Sequence, residues 1–141
     1  MAHPPRFRDN DPLLARLRGI CLGLPEAKEK VSHGLPNFYT VKVFAQFGAV
    51  VKGDHYADDF AQSVVVLPDE NERPSLLQDP RFFVPAYLGA YGWIGLNLRT
   101  GTPDWSEVAE LVDMSYRNTA PKKLVMLLDH GPPSPGCWES R

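Results

Sequence analysis

The longest regular alternation of apolar and polar positions runs from Asp104 to Leu124. Trp105, Val108, Leu111, Val112 and Ser115 recur at the three- and four-residue spacing of one helix face. Asp104 stands three residues before Glu107, a capping-box pattern, with Thr102-Pro103 as a lead-in. Glu107, Glu110 and Asp113 lie mostly off the apolar side, towards the end where the helix dipole favours negative charge. Arg117 falls in the last turn, where a cation is favoured. Pro121 then stops the helix and opens a further turn over Lys122-Lys123-Leu124. The pattern predicts a capped helix with one buried stripe, running into a basic segment.

The rest of the chain alternates differently. Asp11-Pro12 is a helix start, followed by Leu13, Leu17, Ile20 and Leu24 as an apolar stripe, and Pro25 closes that helix. Glu26 to Ser32 places Lys28 and Lys30 between Ala27, Glu29 and Val31, the pattern of a short edge strand. Gly34-Leu35-Pro36-Asn37 reads as a turn. From Asn37 to Phe47 the period is two, predicting one strand. Tyr39, Val41, Val43, Ala45 and Phe47 would form its apolar face, and Phe38, Thr40, Lys42, Phe44 and Gln46 the other. Ser63 to Leu67 predicts a buried strand, Asp69 to Gln78 a short helix troubled by Pro74, and Gly92 to Leu98 a further strand. Phe82 to Tyr87 reads as apolar but irregular, and Asp54 to Gln62 as a polar loop.

Strands in the middle with helices at both ends predict an α+β fold rather than repeating βαβ units. The expected architecture is two-layer: an antiparallel sheet packed on one face by the N-terminal and C-terminal helices. Residues 11–130 form the expected single domain, residues 1–10 a flexible lead and residues 131–141 a disordered Pro/Gly-rich tail. One sheet face is left partly open, displaying Phe38, Lys42 and Phe44.

Composition agrees with one globular domain. The 141 residues are 43% hydrophobic and 23% charged, enough to bury a core. Proline is high, 14 of 141, and much of the excess sits at the two ends. No apolar run has the ~18 residues of a membrane helix, and Cys21 and Cys137 make no disulfide or metal framework. A reduced, cytoplasmic setting fits these features. The net charge of −2 argues against a strongly basic nucleic-acid binder. The distribution is uneven, however: residues 1–52 hold eight Lys/Arg and four Asp/Glu, a balance of +4, and the remainder balances at −6.

No nucleophile elbow, phosphate loop or zinc-helix motif is present, and no cofactor or metal is implied. His55 with Asp54, Asp58 and Asp59 is better read as a solvated loop than as a cation site. Tyr116, Arg117, Lys122 and Lys123 combine an aromatic with cations near a helix end, which suits phosphate contacts and stacking. The competing reading pairs the cations with Glu110 or Asp113. Phe38, Lys42 and Phe44 on an open sheet face would make a stacking platform, unless a helix or a dimer partner covers them. Lys52 adds a further cation. Trp93 and Trp105 are expected to anchor the core.

Several strings also carry a resemblance. These are Ser32-His33-Gly34-Leu35-Pro36-Asn37-Phe38, Asp79 through Gly89, Gly92-Trp93, Asp104-Trp105, and Ser115-Tyr116-Arg117 through Ala120-Pro121-Lys122-Lys123-Leu124. In order and spacing they resemble the MmcQ/YjbR family, from about the first helix to Leu128. The resemblance implies an α+β fold like that of type III secretion chaperones and CyaY. It also implies a double-wing type of DNA-binding protein with no established activity. Together these observations lead to a non-catalytic domain that binds DNA weakly and salt-dependently through Lys42, Lys52, Arg117, Lys122 and Lys123. A protein-interaction or chaperone-like adaptor, self-associating as a dimer, is the alternative, and a small-molecule enzyme comes third. No membrane partner is expected.

Overall fold

The computed structural model describes residues 7–51 and 59–130. Lys52, the Asp54-His55 loop and the 131–141 tail fall outside the described residues, as does most of the N-terminal lead.

Asp11 caps helix α1 (Pro12–Leu22) by accepting from the Leu13 amide at 2.9 Å, and Pro12 fills a first-turn position that needs no N–H. The buried stripe is Leu14, Leu17 and Cys21. Leu13, Ile20 and Leu24 of the expected stripe flank it and are half-buried, so the core-facing line is rotated by one residue. Strand β1 (Lys28–Ser32) follows as expected. It turns into β2 (Leu35–Tyr39) through His33 and Gly34, both at positive φ, 55° and 81°. A two-residue turn of this kind matches the twist of the strands it joins. The turn therefore lies two residues earlier than expected, and Leu35 to Asn37 belong to a strand.

The segment from Asn37 to Phe47 is two strands rather than one. β2 ends at Tyr39 and β3 (Val43–Phe47) pairs back onto it. Asn37 opposes Gln46 and Phe38 opposes Ala45, but Tyr39 opposes Val43. Phe44 is the extra residue of a β-bulge, and both Phe44 and Ala45 are fully buried. Simple alternation over this segment misplaces its aromatics. Phe38 and Phe44 enter the core, whereas Val41, expected on the apolar face, is 77% exposed at the turn.

β4 (Ser63–Val66) is buried throughout, and helix α2 (Arg73–Leu77) tolerates Pro74 because it lies in the first turn. Within the stretch read as irregular, Phe82–Phe83 forms strand β5, and beyond it Leu88–Tyr91 makes a single 3-10 turn. β6 (Ile94–Asn97) lies between β4 and β5, giving one antiparallel six-stranded sheet of order β1-β2-β3-β4-β6-β5. Asp104 caps α3 (Trp105–Thr119), accepting from the amides of Ser106 and Glu107 at 3.0 and 3.3 Å. Val108, Leu111, Val112, Ser115 and Tyr116 are its buried face. After Pro121, α4 (Lys122–His130) inserts Leu124 into the same core.

The core lies between α1, α3 and one face of the sheet: Phe38, Phe44, Phe47, Val64, Val66, Ile94 and Leu96 meet Leu14, Leu17, Val108, Val112 and Tyr116. This is the two-layer α+β arrangement that the sequence pattern predicts. Trp105 is half-buried at its margin with the Arg16 guanidinium 5.2 Å above the ring, and Trp93 is half-buried outside the cluster. On the opposite face, Phe83 and Phe60 stack at 4.1 Å over β4 and β6. Gly95 leaves room for this cover, because a Cβ there would overlap the Phe83 ring. Val65 beneath is consequently fully buried, while the part of this face built from β1–β3 is lined by longer polar side chains.

Candidate nucleic-acid interface

Three of the residues expected to touch nucleic acid are removed from the surface. Phe38 and Phe44 are fully buried on the helix-covered side of the sheet, not on an open face. Tyr116 is also fully buried. Its ring meets Phe44 edge-on at 5.2 Å, and its hydroxyl donates to the Pro25 carbonyl at 2.6 Å. Burial, and to a lesser degree the charge of Glu26, raise the Tyr116 pKa above its ordinary value. These aromatics fail as stacking residues because the bulge and the long helix need them to fill the core.

Arg117 stays near the surface but is spoken for. Its Nε lies 2.8 Å from Asp113 and its Nη1 2.8 Å from Asp129, tying the last turns of α3 to α4. The hydrogen bonds to Asp113 and Asp129 raise its pKa further. The local ion-pair reading is therefore the correct one for Arg117, with Asp113 and Asp129 rather than Glu110 as its partners.

The lysines behave differently. Arg18, Arg81 and Arg117 each make two ion pairs, whereas Lys28, Lys30, Lys42, Lys122 and Lys123 make none among the described residues. All five are exposed. The contacts that assemble the core also bring them to one end of the molecule. Ser115 of α3 donates to the Phe44 carbonyl, Asn118 donates to the Leu67 carbonyl at 3.0 Å, and Tyr116 holds Pro25. The end of α3 thus sits where the α1–β1 connection enters, where the β2–β3 turn leaves and where β4 ends. Lys28 begins β1 there, Lys42 lies in the β2–β3 turn, and Lys122-Lys123 open α4 immediately beyond α3. Lys28 and Lys30 were legible only as charges on an edge strand; their place beside Lys42 required the strand pairing.

The opposite side of α3 is acidic. Asp69, Glu72, Glu107 and Glu110, together with Arg117, line a groove of about 390 Å³ over Leu76, Leu111 and Met114. Among the described residues no three His, Cys, Asp or Glu side chains are grouped to hold a metal ion, and no helix is long and apolar enough to cross a membrane. Cys21 is sealed in the core, and burial raises its thiol pKa well above the ordinary range.

Residues 22–118 match the model of the YjbR family. The chain belongs to that family. The fold is similar to that in the crystal structure of Deinococcus radiodurans protein DR2400, whose domain is classed as DUF419. The TM-score is 0.57 at 18% identity, over 90% of this chain and 86% of that one. No curated protein sequence matches the chain. At that identity the likeness carries the fold alone, and the family model carries the membership. The matched stretch includes Lys28, Lys30 and Lys42 but stops before Lys122 and Lys123, so the basic end of this YjbR domain extends past the matched residues.

Proposed function

We propose that this YjbR domain binds rather than catalyses, and that its ligand is DNA held chiefly through the phosphate backbone. One observation carries the reading: five exposed lysines that make no ion pair among the described residues share one end of the fold, whereas Arg18, Arg81 and Arg117 are held in ion pairs. An ammonium that already faces solvent gives up little on meeting a phosphate, and it releases condensed counterions from the nucleic acid. The contributing residues are Lys42, Lys122 and Lys123, joined by Lys28 and Lys30, and by Lys52 from outside the described segments. Arg117 orders the junction of α3 and α4 from which Lys122-Lys123 project. A net charge of −2 makes the binding modest at physiological salt, in the micromolar or weaker range of non-specific binders.

The test is a titration of labelled duplex and single-stranded oligonucleotides at two salt concentrations. Binding is expected to weaken steeply with salt. Lys122→Ala with Lys123→Ala should lower affinity and reduce the slope of log K against log salt by up to about 0.9 for each duplex phosphate that no longer meets a lysine. The melting temperature should stay unchanged, since both side chains are exposed. No binding of either form at low salt would overturn the reading.

A second reading, a protein-interaction adaptor, draws on a different observation. Tyr87 and Tyr91, 76% and 78% exposed, stand on the connection between β5 and β6 with Val84, which is 47% exposed. Exposed aromatics are enriched at protein interfaces. Sedimentation analysis across a concentration series separates the two, because self-association that disappears in Tyr87→Ser with Tyr91→Ser favours the adaptor.

A further inference from the structure

The strand pairing exposes a surface that simple alternation along the sequence conceals. Lys28 opposes Tyr39, which opposes Val43; one step along, Lys30 opposes Asn37, which opposes Gln46. Their immediate neighbours face the helices: Glu29 reaches Arg18 of α1 at 2.9 Å and Phe38 is in the core. Lys28, Lys30 and Tyr39 therefore share the face that carries no helix. The Lys30 ammonium lies 4.7 Å from the Tyr39 ring centre, and the ring is half-buried. An aromatic does sit among lysines on the sheet, one residue from the position that alternation gives to Phe38.

We infer that the nucleic acid is taken as an unpaired strand across the helix-free face of β1–β3, with Tyr39 stacking a base and Lys28 and Lys30 meeting its phosphates. This rests on the nucleic-acid reading above and deepens it. Stacking on a side chain requires a base face that a duplex keeps covered except at its ends, whereas a single strand offers one at every nucleotide. Lys28 and Lys30 stand about 6.8 Å apart along β1, on the same side of the strand. The line from Lys30 through Lys28 leads towards the end of the sheet where the β2–β3 turn carries Lys42. A base arriving over Tyr39 displaces the Lys30 ammonium from the ring to the adjacent phosphate. The amide nitrogens on this face are engaged with backbone. Asn37 donates to the Leu35 carbonyl at 3.0 Å and Gln46 to the Gly48 carbonyl at 3.0 Å. Recognition is thus tolerant of sequence.

The experiment compares a labelled homothymidine oligonucleotide of about 12 nucleotides with a duplex of equal length at low salt. It uses the full chain and, in parallel, Tyr39→Phe, Tyr39→Leu, Lys28→Ala with Lys30→Ala, and Lys122→Ala with Lys123→Ala. The single strand is expected to bind more tightly than the duplex. Tyr39→Phe should bind as the parent, and Tyr39→Leu, which keeps apolar bulk without a ring, about tenfold more weakly. Removing Lys28 and Lys30 should lower the salt slope by about 0.7 per lysine. Equal or tighter duplex binding, or parental affinity in both Tyr39→Leu and the Lys28/Lys30 variant, overturns the inference. If the Lys122/Lys123 variant still weakens binding in that case, the broader reading stands. If the parent binds neither oligonucleotide, the broader reading falls with it.

Discussion

Ser115 illustrates what one side chain does in this fold. It stands at a core-facing position of α3 and is fully buried. Its Oγ accepts from the Leu67 amide at 2.8 Å and donates to the Phe44 carbonyl at 2.5 Å, joining two strands to the helix at the point where bulge and strand end leave backbone groups unpaired. The apolar period of α3 identifies Ser115 as inward-facing, but a sequence period carries no information about which backbone groups it meets. Ser115→Ala leaves a donor and an acceptor without their partner and is expected to cost about 1–3 kcal/mol. Chemical denaturation measures this directly. A midpoint equal to the parent's would mean that water reaches Leu67 and Phe44 as readily as Ser115 does. The same limit applies to Phe38, Tyr39 and Phe44. Their types predict a strand, but the one-residue bulge that decides which face each occupies depends on β3 pairing with β2, a non-local fact.

At the scale of elements, α1, α3 and the strands β4 and β6 were readable because caps and apolar patterns are local signals. Asp11-Pro12 and Asp104 act where their residue types place them. β5 was not readable, since two residues are too few to show a period, and it is held by partners distant in sequence. Arg81 at its start bridges Asp79 at 2.7 Å and Glu107, in the first turn of α3, at 2.8 Å, fastening the sheet edge to the helix. The Arg81 side chain, and then its backbone amide, hydrogen-bond the Asp79 carboxylate and lower its pKa below the ordinary value. The folded state thus binds fewer protons at Asp79 than the unfolded chain does. This contribution is complete above the unfolded pKa of about 3.9 and is lost as pH falls through the lower folded value. Arg81→Met should melt lower than the parent by a constant margin between pH 5 and 7, and the margin should shrink below about pH 4. Melting curves across that range decide the point. A margin that persists undiminished at pH 2 would mean that Arg81 acts through its guanidinium over the Phe82 ring, 5.8 Å away, rather than through Asp79.

For the whole molecule the relevant feature is the separation of charge. The balance of +4 over residues 1–52 and −6 over the rest hinted at it, but only folding brings Lys122 and Lys123, from the acidic part, to the same end as Lys28 and Lys42. The mainly acidic groove along α3, which Arg117 also lines, contains Glu72 and Glu110, exposed carboxylates that make no ion pair among the described residues. A polyanion approaching the lysine end feels these charges at a distance, as a repulsion that salt removes. The Debye length is about 30 Å at 0.01 M and about 10 Å at 0.1 M, so the groove acts across the domain only at low ionic strength. Replacing Glu72 and Glu110 with Gln should tighten oligonucleotide binding severalfold at 0.01 M salt, mainly through faster association, and leave it unchanged at 0.3 M. Stopped-flow association rates at the two concentrations test this. An equal gain at both would mean that the nucleic acid touches the groove itself. No gain at either would place the bound polymer beyond the reach of the field, and would remove the acidic side from any part in setting affinity.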